Sequence, residues 1–414
     1  MKKILLLAAM AGVMVAQAEE MDRPGGIKIG TRMTLKPYVS FSITHDSNVN
    51  GQSKQQSGQS WTVGPGTTLE YNGGNWRLTG GLDYRYHAYS SGYSKHLNSS
   101  SIAESLVFNW HDSENGSGKG WSLMLSESYN LISQDDDATN NGGRGSGRDR
   151  QQANVAGVLE RRFTDKFHGN VNASYYYLHY KNREMHYAPM YGWTRWMAGT
   201  EWGWVLSKWT DLLIAGNYAG YTQENDSYKY YAWDTKSKID NKSEGYSVMG
   251  GFGSYMTERI SYKVLVGWSH YDYCNSSENA PTYMVSANWK MTDNWNMMLL
   301  GSRYYSPSET GRGSSALTDR VSWGVAHSMV RGKLTAAFDL SFRRTEHPFN
   351  TYAQNDYQQY IGAARLSLNY TINRFVGVFG SLEYQQAWYD GLASMRNDYD
   401  YDRWRATVGF RLTY

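Results

Sequence analysis

Few residues in this chain have types and spacings that could do chemistry. Asp46, Asn48, Asn50 and Gly51 reproduce the first half of a calcium-binding loop, D-x-N-x-N-G. Such a loop needs a bidentate Glu at its twelfth position, and that position is Ser57. The pattern therefore reads as an Asx-rich loop tip, and no metal site is expected. Asp135, Asp136 and Asp137 could hold a divalent ion or bridge lipopolysaccharide through one, but a solvated acidic loop is the simpler account. His45, His87, His96, His179 and His186 have acidic neighbours such as Asp46, Asp83 and Glu184. Adjacency in sequence is weak ground for acid–base catalysis. No H-E-x-x-H, G-x-S-x-G or G-x-x-x-x-G-K-[ST] occurs. No catalytic residue and no cofactor is expected, and the chain does not read as an enzyme.

A larger constellation is a set of charges that fall on one side of alternating segments: Arg77, Asp83, Arg85, Lys333, Asp339, Arg343, Arg365, Glu383, Arg403, Arg405 and Arg411. Successive side chains in a strand point to opposite faces. Trp76, Leu78, Leu82, Tyr84 and Tyr86 thus oppose Arg77, Asp83, Arg85 and His87. Leu334, Ala336, Phe338, Leu340 and Phe342 likewise oppose Lys333, Asp339 and Arg343. At the C-terminus, Trp404, Ala406, Val408, Phe410, Leu412 and Tyr414 alternate with Arg403, Arg405, Thr407 and Arg411. One face suits lipid and the other a polar lumen. A one-residue slip would turn an Arg into lipid, at a cost of about 2–4 kcal/mol near the midplane, so register is strongly specified. The lumen charges admit two readings, an Arg-rich wall that favours anions or Arg paired with carboxylates as part of the wall's structure.

The elements that must position these residues are strands in tandem hairpins. Tight turns lie near 72–75, 164–166, 207–208, 257–259, 292–294, 331–333 and 373–374, with a looser one at 114–120. Aromatics flank them: Trp76, Trp110, Trp121, Phe167, Trp209, Tyr262, Trp295 and Phe375. Recurrence beside the same kind of turn predicts a girdle at one membrane interface. The fold expected is all-β, a transmembrane antiparallel up-and-down barrel of about eighteen strands, with sixteen as the alternative. Long polar loops, including 133–150, 224–243, 274–281 and 391–400, would face the outside.

Both ends of the chain agree. Lys2 and Lys3 precede a short apolar run, and Ala16-Gln17-Ala18 is a small-x-small cleavage site, so residues 1–18 are expected to be an export signal. Residues 19–33 would be a periplasmic N-terminal segment and 34–414 the barrel. Phe410, Leu412 and Tyr414 would form a C-terminal assembly signal. The 35 Tyr, 16 Trp and 42 Gly, against 7 Pro, suit a closed sheet whose strands face lipid on one side only. The net charge of +3 includes the two signal lysines, so nucleic-acid binding has no support.

Residues 36–49 (KPYVSFSITHDSNV) resemble the opening strand of the putative β-barrel porin type 2 family, which runs into an Asp-x-Asn element. With the tandem hairpins and the aromatic C-terminus, the resemblance covers about residues 27–414. It implies an outer-membrane channel and supplies no catalytic residue.

The function expected is passive diffusion of small hydrophilic solutes across a bacterial outer membrane. The partners would be lipid, lipopolysaccharide, the barrel-assembly machinery and the solutes themselves. The alternatives are a saccharide-binding channel, with Tyr38, His87, Tyr176 and Tyr304 as stacking platforms, and a plugged structural or adhesive barrel. One local rule is broken. Pairing Trp110 with Trp121 would set Glu104 opposite Glu127 on the lipid face, so either a β-bulge re-aims them or a second protomer covers them.

Overall fold

The computed structural model describes residues 26–49, 55, 57–89, 98–112, 120–135, 148–181, 192–223, 242–254, 259–273, 276–307, 315–347, 357–390 and 400–414. A short strand, β1 (Ile27–Ile29), is followed by eighteen long ones. These are β2 (Met33–Asp46), β3 (Gly58–Asn72), β4 (Trp76–Tyr89), β5 (Ser99–His111), β6 (Trp121–Asp135) and β7 (Arg148–Arg162). Next come β8 (Phe167–Lys181), β9 (Trp193–Ser207), β10 (Thr210–Gln223), β11 (Lys242–Ser254), β12 (Ile260–Tyr273) and β13 (Ser276–Lys290). The last are β14 (Trp295–Pro307), β15 (Ser315–Met329), β16 (Leu334–His347), β17 (Tyr357–Thr371), β18 (Val376–Asp390) and β19 (Tyr401–Thr413). Each strand from β2 pairs antiparallel with the next, and β19 returns to β2, with Phe410 opposite Phe41 and Leu412 opposite Val39. Closure gives backbone groups partners along the sheet, which is what a strand needs in lipid.

The first strand fills a gap that closure leaves. β19 pairs with β2 only from Tyr38 onward, and the Tyr414 amide donates to the Pro37 carbonyl at 3.0 Å. Below that point β1 folds back through residues 30–32 and pairs Ile27 with Leu35 and Ile29 with Met33. The segment before the barrel is thus an edge contact over residues 27–29. Residues 1–18, expected to be an export signal, and the rest of the segment up to residue 25 lie outside the described residues.

Alternation decides the two faces as the register argument requires. Val39, Ile43, Leu82, Leu125, Ile214, Val266, Leu340, Leu382, Val408 and Phe410 stand exposed on the outside. The strands of 13–15 residues exceed the roughly nine to eleven needed to cross, so they project beyond the bilayer. The loop expected over 274–281 is mostly strand, since β13 begins at Ser276 and pairs with β12 up to Tyr273. Alternation there (Glu278, Ala280, Thr282 against Asn279, Pro281, Tyr283) was masked by Pro281, which reads as a strand breaker.

The backbones of β11 and β12 come close together at two glycines. Gly251 faces Leu265 and Gly267 faces Met249 across the β11–β12 pair. A Cβ on either glycine would overlap a neighbouring carbonyl oxygen, that of Val264 or Val248. Glycine at both positions lets the two backbones close into a corner. Leu213, Ala215, Met249 and Leu265 fill that corner from inside, with Leu213 and Leu265 wholly buried.

Candidate functional site: the inner wall

Cross-strand register, more than sequence position, arranges the inner charges. Asp339 on β16 pairs with Arg365 on β17, Arg365 with Glu383 on β18, Glu383 with Arg405 on β19, and Arg405 with Asp46 on β2. Five neighbouring strands therefore carry alternating charges at one level of the wall. Opposite charges directly across a strand pair attract, and like charges repel. Arg405 lies 3.9 Å from Glu383 and 3.2 Å from Asp46. Arg403 donates from Nε to both Asp46 oxygens at 2.9 and 2.8 Å and from its Nη2 to Oδ2. The Asp46 carboxylate also accepts the Asn48 amide at 3.0 Å. Asp46 is thereby committed to joining β2 and β19.

The other expected wall residues divide. Arg77 lies 4.0 Å from Glu70, which also meets Lys36 at 3.5 Å. Arg85 pairs with Asp83 at 2.6 Å, and Arg411 lies over the Tyr38 ring at 4.6 Å. Arg343 faces inward opposite Arg320. Lys333 is a correction: it lies in the exposed turn before β16, whose Thr371–Lys333 hydrogen bond closes the rim, and it does not line the wall. That turn holds Val330 and Arg331 at φ 54°, which displaces the strand start by one residue. Arg is accordingly interleaved with carboxylates on this wall, and an unopposed Arg-rich wall is not what the register builds.

The expected reading missed a second inner group. Lys263 on β12 binds both oxygens of Glu201 on β9 at 2.8 and 2.7 Å, and His168 meets Asp211 at 3.2 Å. Lys263 and Glu201 are separated by two intervening strands, so no pairwise sequence signal joins them; the corner brings them together.

Above this level, Leu178, Tyr180, Trp193, Tyr221, Tyr271, Ala280 and Tyr305 form a buried inner cluster, with Tyr176 and Leu317 packed on it. Of the four aromatics read as saccharide platforms, Tyr304 neighbours Tyr221 in the cluster on which Tyr176 packs, and Tyr38 and His87 lie apart from these. Tyr38 is held by Arg411, and His87 bonds Thr62 at 2.8 Å on the β3–β4 side, while Tyr176 stacks near Trp193 at 4.7 Å on β8–β9. His45 is on the outer face and Asp46 on the inner, so they cannot act as a pair. His96, Glu184, His186, Asp136 and Asp137 lie outside the described residues.

On the outer face, Trp76, Phe167, Trp209, Trp295 and Phe375 occur at tight turns at one end, and Trp110, Trp121 and Tyr262 lie near the ends of β5, β6 and β12 whose connections fall largely outside the described residues. Tyr71 stacks on Trp76 at 4.6 Å, Phe167 on Trp202 at 5.6 Å, and Arg374 caps Phe375 at 4.4 Å. A second aromatic rim, unrecognised in the sequence, occupies the other end: Trp61 with Tyr86, Trp196 with Tyr218, Tyr360 with Trp388, and Tyr384 with Trp404. Its signal was present, an aromatic on the outward face about ten positions from each tight turn.

The expected direct opposition of Glu104 and Glu127 is wrong by two residues. Trp110 pairs with Leu123, Glu104 with Tyr129 and Leu106 with Glu127. No bulge interrupts the β5–β6 register, so neither carboxylate is re-aimed inward. Both stand exposed on the outer face, diagonal to each other.

A closed sheet with an apolar outer belt, two aromatic rims and an ion-paired inner wall defines an outer-membrane β-barrel. The family described as putative beta-barrel porin 2 matches residues 217–414, from β10 to the C-terminus, and its match does not reach residues 36–49. No curated protein matches the sequence. Among solved structures, the chain is similar to the siderophore receptor PirA from Acinetobacter baumannii, with 9% identity, a TM-score of 0.48, and coverage of 94% of this chain and 81% of that one. The FrpB iron transporter from Neisseria meningitidis (F3-3 variant) gives 9% identity, a TM-score of 0.45 and coverage of 92% and 81%.

Proposed function

We propose that this barrel is a porin-like channel through which small hydrophilic solutes cross the outer membrane by passive diffusion. The observation that carries this reading is the inner wall of alternating Asp339, Arg365, Glu383, Arg405 and Asp46 inside an eighteen-stranded closed sheet. Side chains of a barrel this wide do not fill it, and water is the default content. Paired wall charges lower the field each would exert alone, so selectivity between cations and anions is weak. Of the expected pore-lining residues, Arg77, Asp83, Arg85, Asp339, Arg365, Glu383, Arg403 and Arg405 act in this way, whereas Arg343 stands opposite Arg320 and Arg411 lies over Tyr38. No catalytic step, cofactor or energy input enters the mechanism.

The same reading assigns residues 1–18 to export and residues 19–33 to the periplasmic side. Phe410, Leu412 and Tyr414 are the segment presented to the barrel-assembly machinery. The aromatic rims meet lipid on one side and lipopolysaccharide on the other. Glu104 and Glu127, left in the lipid belt, are covered by a second protomer across β5 and β6.

Conductance of the purified protein in planar bilayers tests the channel. Steady ohmic steps with a reversal potential near zero under a salt gradient are expected. Silence from correctly folded, heat-modifiable protein overturns diffusion in favour of a plugged structural barrel.

A further inference from the structure

The outer half of the β13–β14 seam is unlike the other junctions. From Lys290 opposite Asn296 to Met284 opposite Ser302 the two strands pair regularly. Both then continue, β13 to Ser276 and β14 to Pro307, without pairing to each other. Each stays paired on its far side, β13 with β12 and β14 with β15. One side-chain hydroxyl bridges the breach, with Thr282 donating to the Arg303 carbonyl at 2.6 Å, and Tyr221 of β10 donates to the Tyr305 carbonyl at 3.2 Å from the inner side. Pro281, which has no amide to donate, falls in the unpaired stretch, where a strand can tolerate it.

The strands also overlap. Tyr305 is on the same side of β14 as the lipid-facing Trp295, because ten residues separate them and sides alternate. Yet Tyr305 stacks on Tyr271 at 5.3 Å, and Tyr271 points into the barrel. Leu317, opposite Tyr305 on β15, packs on the same inner cluster. These contacts require the outer end of the β14–β15 hairpin to have moved inside the line of β12 and β13. The seam is therefore shingled, and its unpaired edges lie between the outward Trp268, which pairs with Pro281, and the buried inner cluster.

That cluster carries orphan donors. Trp193 is 8% exposed, and its Nε1 has no partner; the Nε of Arg195, two residues along the same face, has none either. Arg195 lies over the Tyr176 ring at 5.8 Å and interacts with the Tyr221 hydroxyl. Glu278 interacts with the Tyr305 hydroxyl at the seam, so the aromatic cluster is acidic at that edge. It offers its two unused N–H donors, one of them cationic, at Trp193 and Arg195. An apolar body with an anionic head placed at that second edge matches this arrangement.

We infer that the β13–β14 overlap is a lateral portal through which amphipathic carboxylates pass between the outer leaflet and this inner pocket. The apolar body displaces the Tyr305 ring from Tyr271, and the carboxylate is held by Arg195 and Trp193. The inference rests on the barrel standing in the outer membrane, and it does not need the diffusion reading.

The test is photo-crosslinking of the full protein in phosphatidylcholine vesicles with a long-chain carboxylate bearing a diazirine at its far end. Its methyl ester serves as the headless control, and labelled residues are mapped by mass spectrometry. Labelling at inward Tyr271, Leu178 or Ala280, at least about fivefold stronger for the carboxylate than for the ester, is expected. Arg195→Gln should abolish that preference and leave the heat-modifiable fold and the conductance unchanged. Labelling confined to lipid-facing residues such as Val266 and Trp268 overturns the portal, as does equal labelling by the ester. Conductance without inward labelling defeats the portal alone, whereas inward labelling of a silent barrel supports it and defeats diffusion.

Discussion

Arg403 and Asp46 lie 357 positions apart and form a buried bidentate ion pair, with side chains 3% and 6% exposed. They join the last strand of the barrel to the first, just where β2 leaves the sheet. Asn48 extends the junction by donating from its side chain to the Asp402 carbonyl at 3.0 Å. Breaking such a pair leaves one charge buried and uncompensated, which costs about 3–5 kcal/mol. Asp46→Asn and Arg403→Leu are each expected to lower the urea midpoint and weaken the heat-modifiable band. The exchange Asp46→Arg with Arg403→Asp should recover part of that loss. Unchanged midpoints in both single variants would mean that closure does not depend on the pair.

Gly251 and Gly267 are expected to be the least replaceable glycines of the wall. Ala at either position drives a Cβ into backbone oxygen, for a loss at or above the ~3 kcal/mol top of the overpacking range. Gly216→Ala is the control, since its added carbon would meet nothing nearer than the Ser247 oxygen at 4.0 Å. Yield of folded barrel and its thermal midpoint separate the two cases.

The alternating ladder fixes the sign of selectivity changes. Glu383→Gln removes a negative charge between Arg365 and Arg405, so the reversal potential should move toward anion preference. Arg365→Gln removes a positive charge between Asp339 and Glu383 and should move it toward cations. Shifts in the same direction for both variants would remove this ladder from the conduction path.

Glu104→Leu with Glu127→Leu tests the protomer contact. If a second copy covers these carboxylates, the oligomer seen by light scattering in mild detergent should dissociate. A monomer in both proteins, with the double variant more stable by about 1 kcal/mol or more, would show instead that the carboxylates face lipid.

Val330, a β-branched residue at φ 54°, is strained in its turn. Val330→Gly should raise the unfolding free energy by an amount on the order of 1 kcal/mol, the usual strain for such a conformation, and so raise the unfolding midpoint. A lowered midpoint would show that the exposed Val330 side chain contributes more than its backbone costs.

The sequence by itself determined the fold class, because alternation of period two is a local property. Arg403 to Tyr414 declares its two faces without reference to any partner, and a turn such as Asn373-Arg374 declares a reversal. The aromatics beside those turns were legible for the same reason. Only the tertiary structure decided what opposes what. Register across a strand pair depends on turn geometry as well as on faces, so Glu104 came to Tyr129 and not to Glu127. Charges read along single strands left both an Arg-rich wall and paired Arg open, and alignment of five strands makes them alternating pairs. The contacts of Arg403 with Asp46, Lys263 with Glu201, and Tyr305 with Tyr271 depend on closure, on the glycine corner and on a shingled seam. Each of these arises from how the whole sheet bends, and no local stretch of sequence encodes that bend.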